Sequence, residues 1–217
     1  MPRNADRLDM SVTFQPVNIA VMTVSDTRTE ADDKSGSLLV SRIEEDGHVL
    51  ADRAIITDDV PRIIARLKEW IESPQVDVVV TTGGTGLTGR DSTPEAFAAI
   101  VEKDIPGFGE LFRMLSFEKI GTSTVQSRAL AGVAGGTYLF ALPGSTSACK
   151  DGWDDILRYQ LDIRHRPCNS SQALKVRSSA LTRPAAAPGP VRSPSPPPGS
   201  IRTPWPGFRR ASMIPRK

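Results

Sequence analysis

Val17 to Val24 is a run of apolar and β-branched residues that breaks into a polar cluster, Ser25-Asp26-Thr27-Arg28. A strand buried on both faces and opening into a loop reads this way. From Ser35 to Glu45 the period changes: Leu38, Leu39 and Ile43 fall at helical spacing, and Gly47 stands where a helix stops. The alternation then repeats. His48 to Ile56 predicts a second strand, and Asp58-Asp59-Val60-Pro61 supplies caps and a first-turn proline for a helix carrying Ile63, Ile64, Leu67 and Ile71. Gln75 to Thr82 predicts a third strand, with the continuous apolar centre expected of a parallel sheet covered on both sides. Thr93-Pro94-Glu95 opens a further helix, and Phe108 to Ile120 predicts another with Leu111, Phe112, Leu115 and Phe117 as packing residues. Gly132 to Leu142 predicts two short strands, and Ser145 to Leu161 the last helix. Strand, loop and helix in this order predict a doubly wound α/β architecture with a mostly parallel sheet.

Composition divides the chain. Between Ser170 and Lys217 there is no Asp or Glu, while ten of the 18 prolines and nine of the 27 basic residues lie there. Taking those nine charges from the net of +2 leaves about −7 for the remainder. The part able to fold is acidic, which argues against a nucleic-acid partner. The expected organisation is a flexible segment 1–15, one domain over 16–169 and a disordered Pro/Arg/Ser-rich tail over 170–217. That tail reads either as a basic, polyproline-type interaction arm or as a solvated extension. No apolar run is long enough to span a bilayer, and Met1 to Gln15 has no apolar signal core. Cys149 and Cys168 form neither a disulfide framework nor a metal-type spacing, so a cytoplasmic location is expected.

The chemistry concentrates at strand ends. Thr81-Thr82-Gly83-Gly84-Thr85-Gly86 directly follows the third strand, where glycines let backbone N–H groups approach phosphate oxygens. It lacks the Gly-Lys-Ser/Thr ending of a Walker loop and the spacing of a dinucleotide fingerprint. Asp91 follows at once. A carboxylate beside bound phosphates calls for a divalent cation, so Asp91 is the first candidate for a metal-linked or acid/base role, against helix capping. Asp58, at the end of the second strand, is either a second carboxylate of the site or a cap for the following helix. Ser25, Asp26, Thr27 and Arg28 end the first strand and offer hydroxyls and a fork-shaped cation to an anion. Glu110, Ser127, Gly144 and Ser145 are weaker signals in isolation; Ser145 would serve as a helix cap. No nucleophile–base pair stands out, which disfavours triad hydrolysis.

Ser25-Asp-Thr-Arg28, Thr82-Gly-Gly-Thr-Gly86, Arg90-Asp-Ser-Thr-Pro94, Pro106-Gly-Phe-Gly-Glu110, Ser127-Arg128 and Leu142-Pro-Gly144 together resemble the MoaB/MogA family of molybdenum-cofactor biosynthesis proteins in order and spacing. The resemblance covers about Val17 to Cys168, and Arg164-His-Arg-Pro-Cys168 is similar to the MoaB branch. It implies a three-layer α/β/α sandwich, trimers or hexamers, binding of molybdopterin, and Mg²⁺- and ATP-dependent adenylylation of its terminal phosphate. Asp91, the family's essential aspartate by motif, would hold Mg²⁺, and Asp58 would be the second acidic position. Thr82, Gly83, Gly84, Thr85 and Gly86 would hold phosphates, with Ser25 to Arg28 and Ser127 contributing contacts. Glu110 would face the ligand, and Gly144 with Ser145 would border the pterin. Molybdopterin-synthase and molybdenum-insertion proteins would be the partners. A non-catalytic pterin carrier and a nucleotide-processing domain of the competence/damage-inducible type are the other readings.

Overall fold

The computed structural model describes residues 7–172 and 174. Its sheet has six strands in the order β2-β1-β3-β6-β5-β4. In chain order the elements are β1 (Asn18–Val24), α1 (Lys34–Glu45), β2 (Val49–Ile56), α2 (Val60–Glu72), β3 (Val78–Thr82), α3 (Thr93–Ala98), β4 (Lys103–Asp104) and α4 (Pro106–Ile120). A 3₁₀ segment (Gly121–Gln126), β5 (Leu130–Ala134), β6 (Thr137–Leu142) and α5 (Thr146–Gly152) follow, and α5 continues through a π-helical turn (Trp153–Leu157) into α6 (Arg158–Gln160). β1, β2, β3 and β6 pair in parallel, while β5 and β4 extend the sheet antiparallel.

Alternation along β1 shows why helices must cover both faces. Ile19 and Val21 pack with Leu39 and Ile43 of α1, Phe108 and Phe112 of α4, and Trp153. Ala20, Met22 and Val24 point the other way, onto Ile63, Leu67 and Trp70 of α2 and Phe97 of α3. Every residue of β3 is buried. The expected three-layer α/β/α sandwich is the observed one. Its direction of winding reverses at β1: α1 leads to β2 on one side, and α2 carries the chain back to β3 on the other. The crevice outside the carboxyl ends of β1 and β3 is therefore the switch point at which such sheets bind ligands.

The elements depart from the sequence pattern in identifiable places. β4 has two exposed residues, too few for a period to show. The expected strand pair is a hairpin turning on Gly135 and Gly136, whose φ values of +55° and +82° suit a two-residue primed turn. On α4, Leu111 and Phe117 are not core residues of this chain. They remain 37% and 56% exposed, because the helix buries only the stripe containing Phe108, Phe112 and Ser116. The last helix is interrupted by its π turn, which places the fully buried Trp153 so that its Nε1 donates to Asp46 Oδ2 at 2.7 Å.

Packing also extends beyond the expected domain limits. Within the segment 1–15, Leu8 bridges to His165, Asp9 pairs with Arg166 at 3.1 Å, and Phe14 lies against His48. Beyond Asn169, Ser171 Oγ donates to Leu161 O and Leu174 joins the core. The rest of the expected tail lies outside the described residues. Among those described, no helix is long and apolar enough to cross a membrane.

Candidate active site

The loop after β3 is shaped by close backbone approaches. Gly83 and Gly84 have φ of +95° and +62°, and a Cβ on Gly83 would stand 2.3 Å from the Val24 carbonyl oxygen. At Gly84 a Cβ would stand 2.4 Å from Thr93 Oγ1. Only glycine satisfies both demands. The loop is fastened on three sides: Gly83 N–H donates to Leu142 O at 3.1 Å, Thr93 N–H to Gly84 O at 2.9 Å, and Thr93 Oγ1 to Gly83 O at 2.9 Å. The N–H groups of Gly84 and Thr85 find no acceptor among the described residues. They are free to meet an anion.

Two carboxylates flank this loop. Asp91 Oδ2 accepts from Thr88 N–H at 2.9 Å and from the Thr88 hydroxyl at 2.5 Å, folding residues 86–91 on themselves. The Thr88 hydroxyl foremost, with the Thr88 and Gly86 amides, holds Asp91 below the ordinary carboxylate pKa despite some burial. Asp91 does not cap α3. Asp58 is not the cap of α2 either: Asp59 takes that place, accepting from Arg62 N–H at 3.1 Å. Instead Asp58 Oδ1 reaches across to Ser92, accepting from its N–H at 2.9 Å and from its hydroxyl. Its Oδ2 is turned toward Gly84.

Residues 25–28 are largely committed to the protein. Ser25 Oγ accepts from the N–H groups of Thr27 and Arg28, which makes a local turn. Asp26 pairs with Arg90 at 2.6 Å and accepts from Asp58 N–H. Arg28 donates to Ser35 Oγ and to Gly144 O at 3.0 Å, tying the β1 loop to the β6 loop. Behind it Asp33 is 1% exposed and accepts from Thr23 Oγ1 at 2.6 Å, Gly36 N–H at 2.9 Å and Arg53 Nη2 at 2.9 Å. Burial pushes the Asp33 carboxyl up, but these donors together bring it below its usual value.

A cavity of about 480 Å³ opens beside the glycine loop. Gly83 to Gly86 and Asp91 form one part of its wall, and Gly144, Ser145 and Ser147 continue it. α4 supplies Phe112, Ser116 and Lys119, the 3₁₀ segment Thr124 and Gln126 with Ser127 after it, and α5 Asp151. Of the sequence candidates, Gly83, Gly84, Thr85, Gly86, Asp91, Ser127, Gly144 and Ser145 meet here. Ser25, Asp26, Thr27, Arg28 and Asp58 sit behind or beside the loop rather than on the cavity wall. Thr82 is fully buried, its hydroxyl donating to Pro143 O at 3.2 Å, so it supports the loop from beneath. Glu110 is exposed; two residues before Phe112, it lies roughly 200° round the helix from the cavity. Ser145 does cap α5, accepting from Ala148 N–H at 3.2 Å.

Arg128, within the Ser127-Arg128 motif but not among the site residues expected from the sequence, holds the loop in place. Its guanidinium donates to Thr85 O at 3.3 Å and Asp91 O at 2.8 Å, stapling both ends of the glycine loop. The Ser127-Arg128 pair is the sequence signal that marks this arginine. Lys119, Gln126 and Asp151 gave no signal, since they come from elements remote in sequence from the strand ends.

Residues 20–163 match the family described as "Probable molybdopterin binding domain". The chain belongs to this family. Within the MoaB/MogA group, the chain is 51% identical over 166 residues to molybdenum cofactor biosynthesis protein B of Escherichia coli (strain K12), covering 76% of this chain and 98% of that one. A crystal structure of a molybdenum cofactor biosynthesis protein B superposes with a TM-score of 0.69 at 38% identity, over 76% of this chain and 98% of the other. The tungsten cofactor synthesizing protein MoaB from Pyrococcus furiosus gives 0.62 at 35% identity, with the same coverage. Those alignments span nearly the whole of each relative, so the MoaB/MogA-type domain is present from end to end.

Proposed function

We propose that this protein binds molybdopterin during molybdenum cofactor biosynthesis and transfers the adenylyl group of ATP to its terminal phosphate. The observation that carries the reading is the glycine loop at the switch point, with unpaired N–H groups on a cavity wall and the carboxylates of Asp91 and Asp58 at its flanks. In this reaction an oxygen of the pterin phosphate attacks the α-phosphorus of ATP, one new P–O bond forms, and pyrophosphate leaves. Such chemistry needs two polyanions held in line and their charge offset more than it needs a strong base. Gly84 and Thr85 N–H groups would donate to a phosphate, Arg128 would keep the loop in place, and Arg28 would fix Gly144 against it.

Mg²⁺ is ordinarily held by one or two carboxylates together with substrate phosphates. The donor set fits: Asp91 stays ionised, and Asp58 keeps Oδ2 directed at the loop. Among the described residues no group of three or more potential ligands gathers. The phosphates would thus complete the shell, and the ion would supply charge neutralisation between them.

A second reading, a pterin carrier without turnover, draws on Asp91 Oδ2 being already engaged by the Thr88 amide and hydroxyl. The protein and its Asp91→Ala variant, incubated with molybdopterin, Mg²⁺ and ATP, separate the two. Adenylylated pterin and pyrophosphate from the wild type, with a fall of at least about a hundredfold in the variant, support transfer; removal of a preorganised charged group commonly costs this much. Pterin binding without product from either protein leaves the carrier.

The same reading includes a homo-oligomer. Leu111, Met114 and Phe117 form an exposed apolar stripe on α4, 37%, 50% and 56% exposed. An apolar stripe of this kind suits burial against another copy of the chain.

A further inference from the structure

Lys119 and Asp151 face one another across the cavity wall, one from α4 and the other from α5. Lys119 Nζ lies 2.6 Å from Asp151 Oδ1 and 3.2 Å from Asp155 Oδ2. A pair this open to solvent adds little to folding stability, since its side chains are 48% and 23% exposed. Its position is more informative. Ser145, the cap of α5, lies beside the glycine loop, and six residues further along the helix Asp151 stands roughly 9 Å away along its axis. The cavity thus runs from backbone donors suited to an anion toward an ammonium paired with a carboxylate. Asp151 meets Lys119 through Oδ1, and Oδ2 has no hydrogen-bond partner among the described residues.

We infer that Lys119 and Asp151 read the lactam–amidine edge of the pterin ring, which makes them specificity determinants of the proposed molybdopterin site. That edge presents a carbonyl oxygen, a ring N–H and an exocyclic amino group in sequence: one acceptor, then two donors. The ammonium donates to the carbonyl. The carboxylate accepts from the N–H and the amino group as a fork, the arrangement that makes paired donors specific for carboxylates. Asp155 keeps the ammonium in place while Asp151 turns to the ligand. This assignment rests on the proposed function, because the ring is that of the proposed substrate.

The test compares 6-hydroxymethylpterin phosphate with the corresponding lumazine phosphate, which carries oxygen in place of the amino group, at a pH where both rings are neutral. Affinities are measured by calorimetry for the wild type, Asp151→Asn and Lys119→Met, with AMP as a third ligand. We expect the wild type to prefer the pterin by on the order of tenfold, the size of discrimination given by one bidentate contact. Asp151→Asn keeps its shape but swaps an acceptor for a donor, so it should level or invert the preference; Lys119→Met should weaken both rings. A wild-type preference that survives unchanged in Asp151→Asn overturns the inference and leaves the proposed function standing. Equal wild-type affinity for the two rings also overturns it, as does a loss in Asp151→Asn confined to AMP. If the wild type binds neither ring, the proposed function itself fails. Circular dichroism of each variant shows that a lost preference is not a lost fold.

Discussion

Gly83→Ala is a direct test of how the loop is built. The new methyl group would stand 2.3 Å from the Val24 carbonyl oxygen, a backbone atom that cannot rotate away, at a residue whose φ is +95°. The left-handed backbone alone costs an L-residue about 1–2 kcal/mol. Relieving the contact by moving strand ends adds about 1–3 kcal/mol, as other overpacked sites do. Together these give about 2–5 kcal/mol, or a fall in Tm of about 4–20 °C for a domain of this size. Gly89→Ala is the matched control, because no atom lies within 4 Å of its added Cβ and its φ is not in the positive range. Removing a glycine there restricts the unfolded chain and should leave Tm unchanged or slightly higher. Differential scanning calorimetry of the two variants settles the matter. A Gly83→Ala protein that melts within about 1 °C of Gly89→Ala would refute the claim that Val24 and Leu142 clamp this loop.

Other consequences follow from the same geometry. Asp33→Asn should destabilise by about 3 kcal/mol at neutral pH, since it leaves the Arg53 and Arg28 contacts without their buried counter-charge. The folded pKa of Asp33 lies below the ordinary 3.8, so its contribution is present above that value and is lost as pH falls through the folded pKa. Denaturant titrations carried from pH 6 to well below 3.8 should therefore show a constant gap between wild type and Asp33→Asn above 3.8 that narrows below it, and a gap that stays constant below 3.8 would contradict this account. Arg128→Ala removes donors from Thr85 O and Asp91 O and should weaken phosphate-ligand affinity about tenfold with little change in Tm, measured by calorimetry. Met114→Glu with Phe117→Glu should give monomers in analytical ultracentrifugation without loss of fold, because both side chains are exposed on the single chain; an unchanged sedimentation coefficient would remove the α4 stripe as the contact.

The layers of this protein were determined by its sequence, because hydrophobic period and strand–helix alternation are local properties that survive into the fold. The doubly buried β1 and β3, the glycine loop after Thr82 and the position of Asp91 all fall within this reach. What the tertiary structure decided is partnership. Asp58 and Asp59 are equivalent as letters, yet Asp59 caps α2 while Asp58 crosses to Ser92, since only the sheet order brings α3 beside the end of β2. Arg28 reads as an anion-binding fork but is spent on Ser35 and Gly144 O, 116 residues away from its own position in the latter case. Glu110 falls within a recognised motif and still lies away from the cavity, because the face a helix buries is set by what packs on it. Lys119 and Asp151 carried no signal until α4 and α5 were laid side by side. Period is written along the chain, whereas proximity between distant residues exists only once the layers have closed.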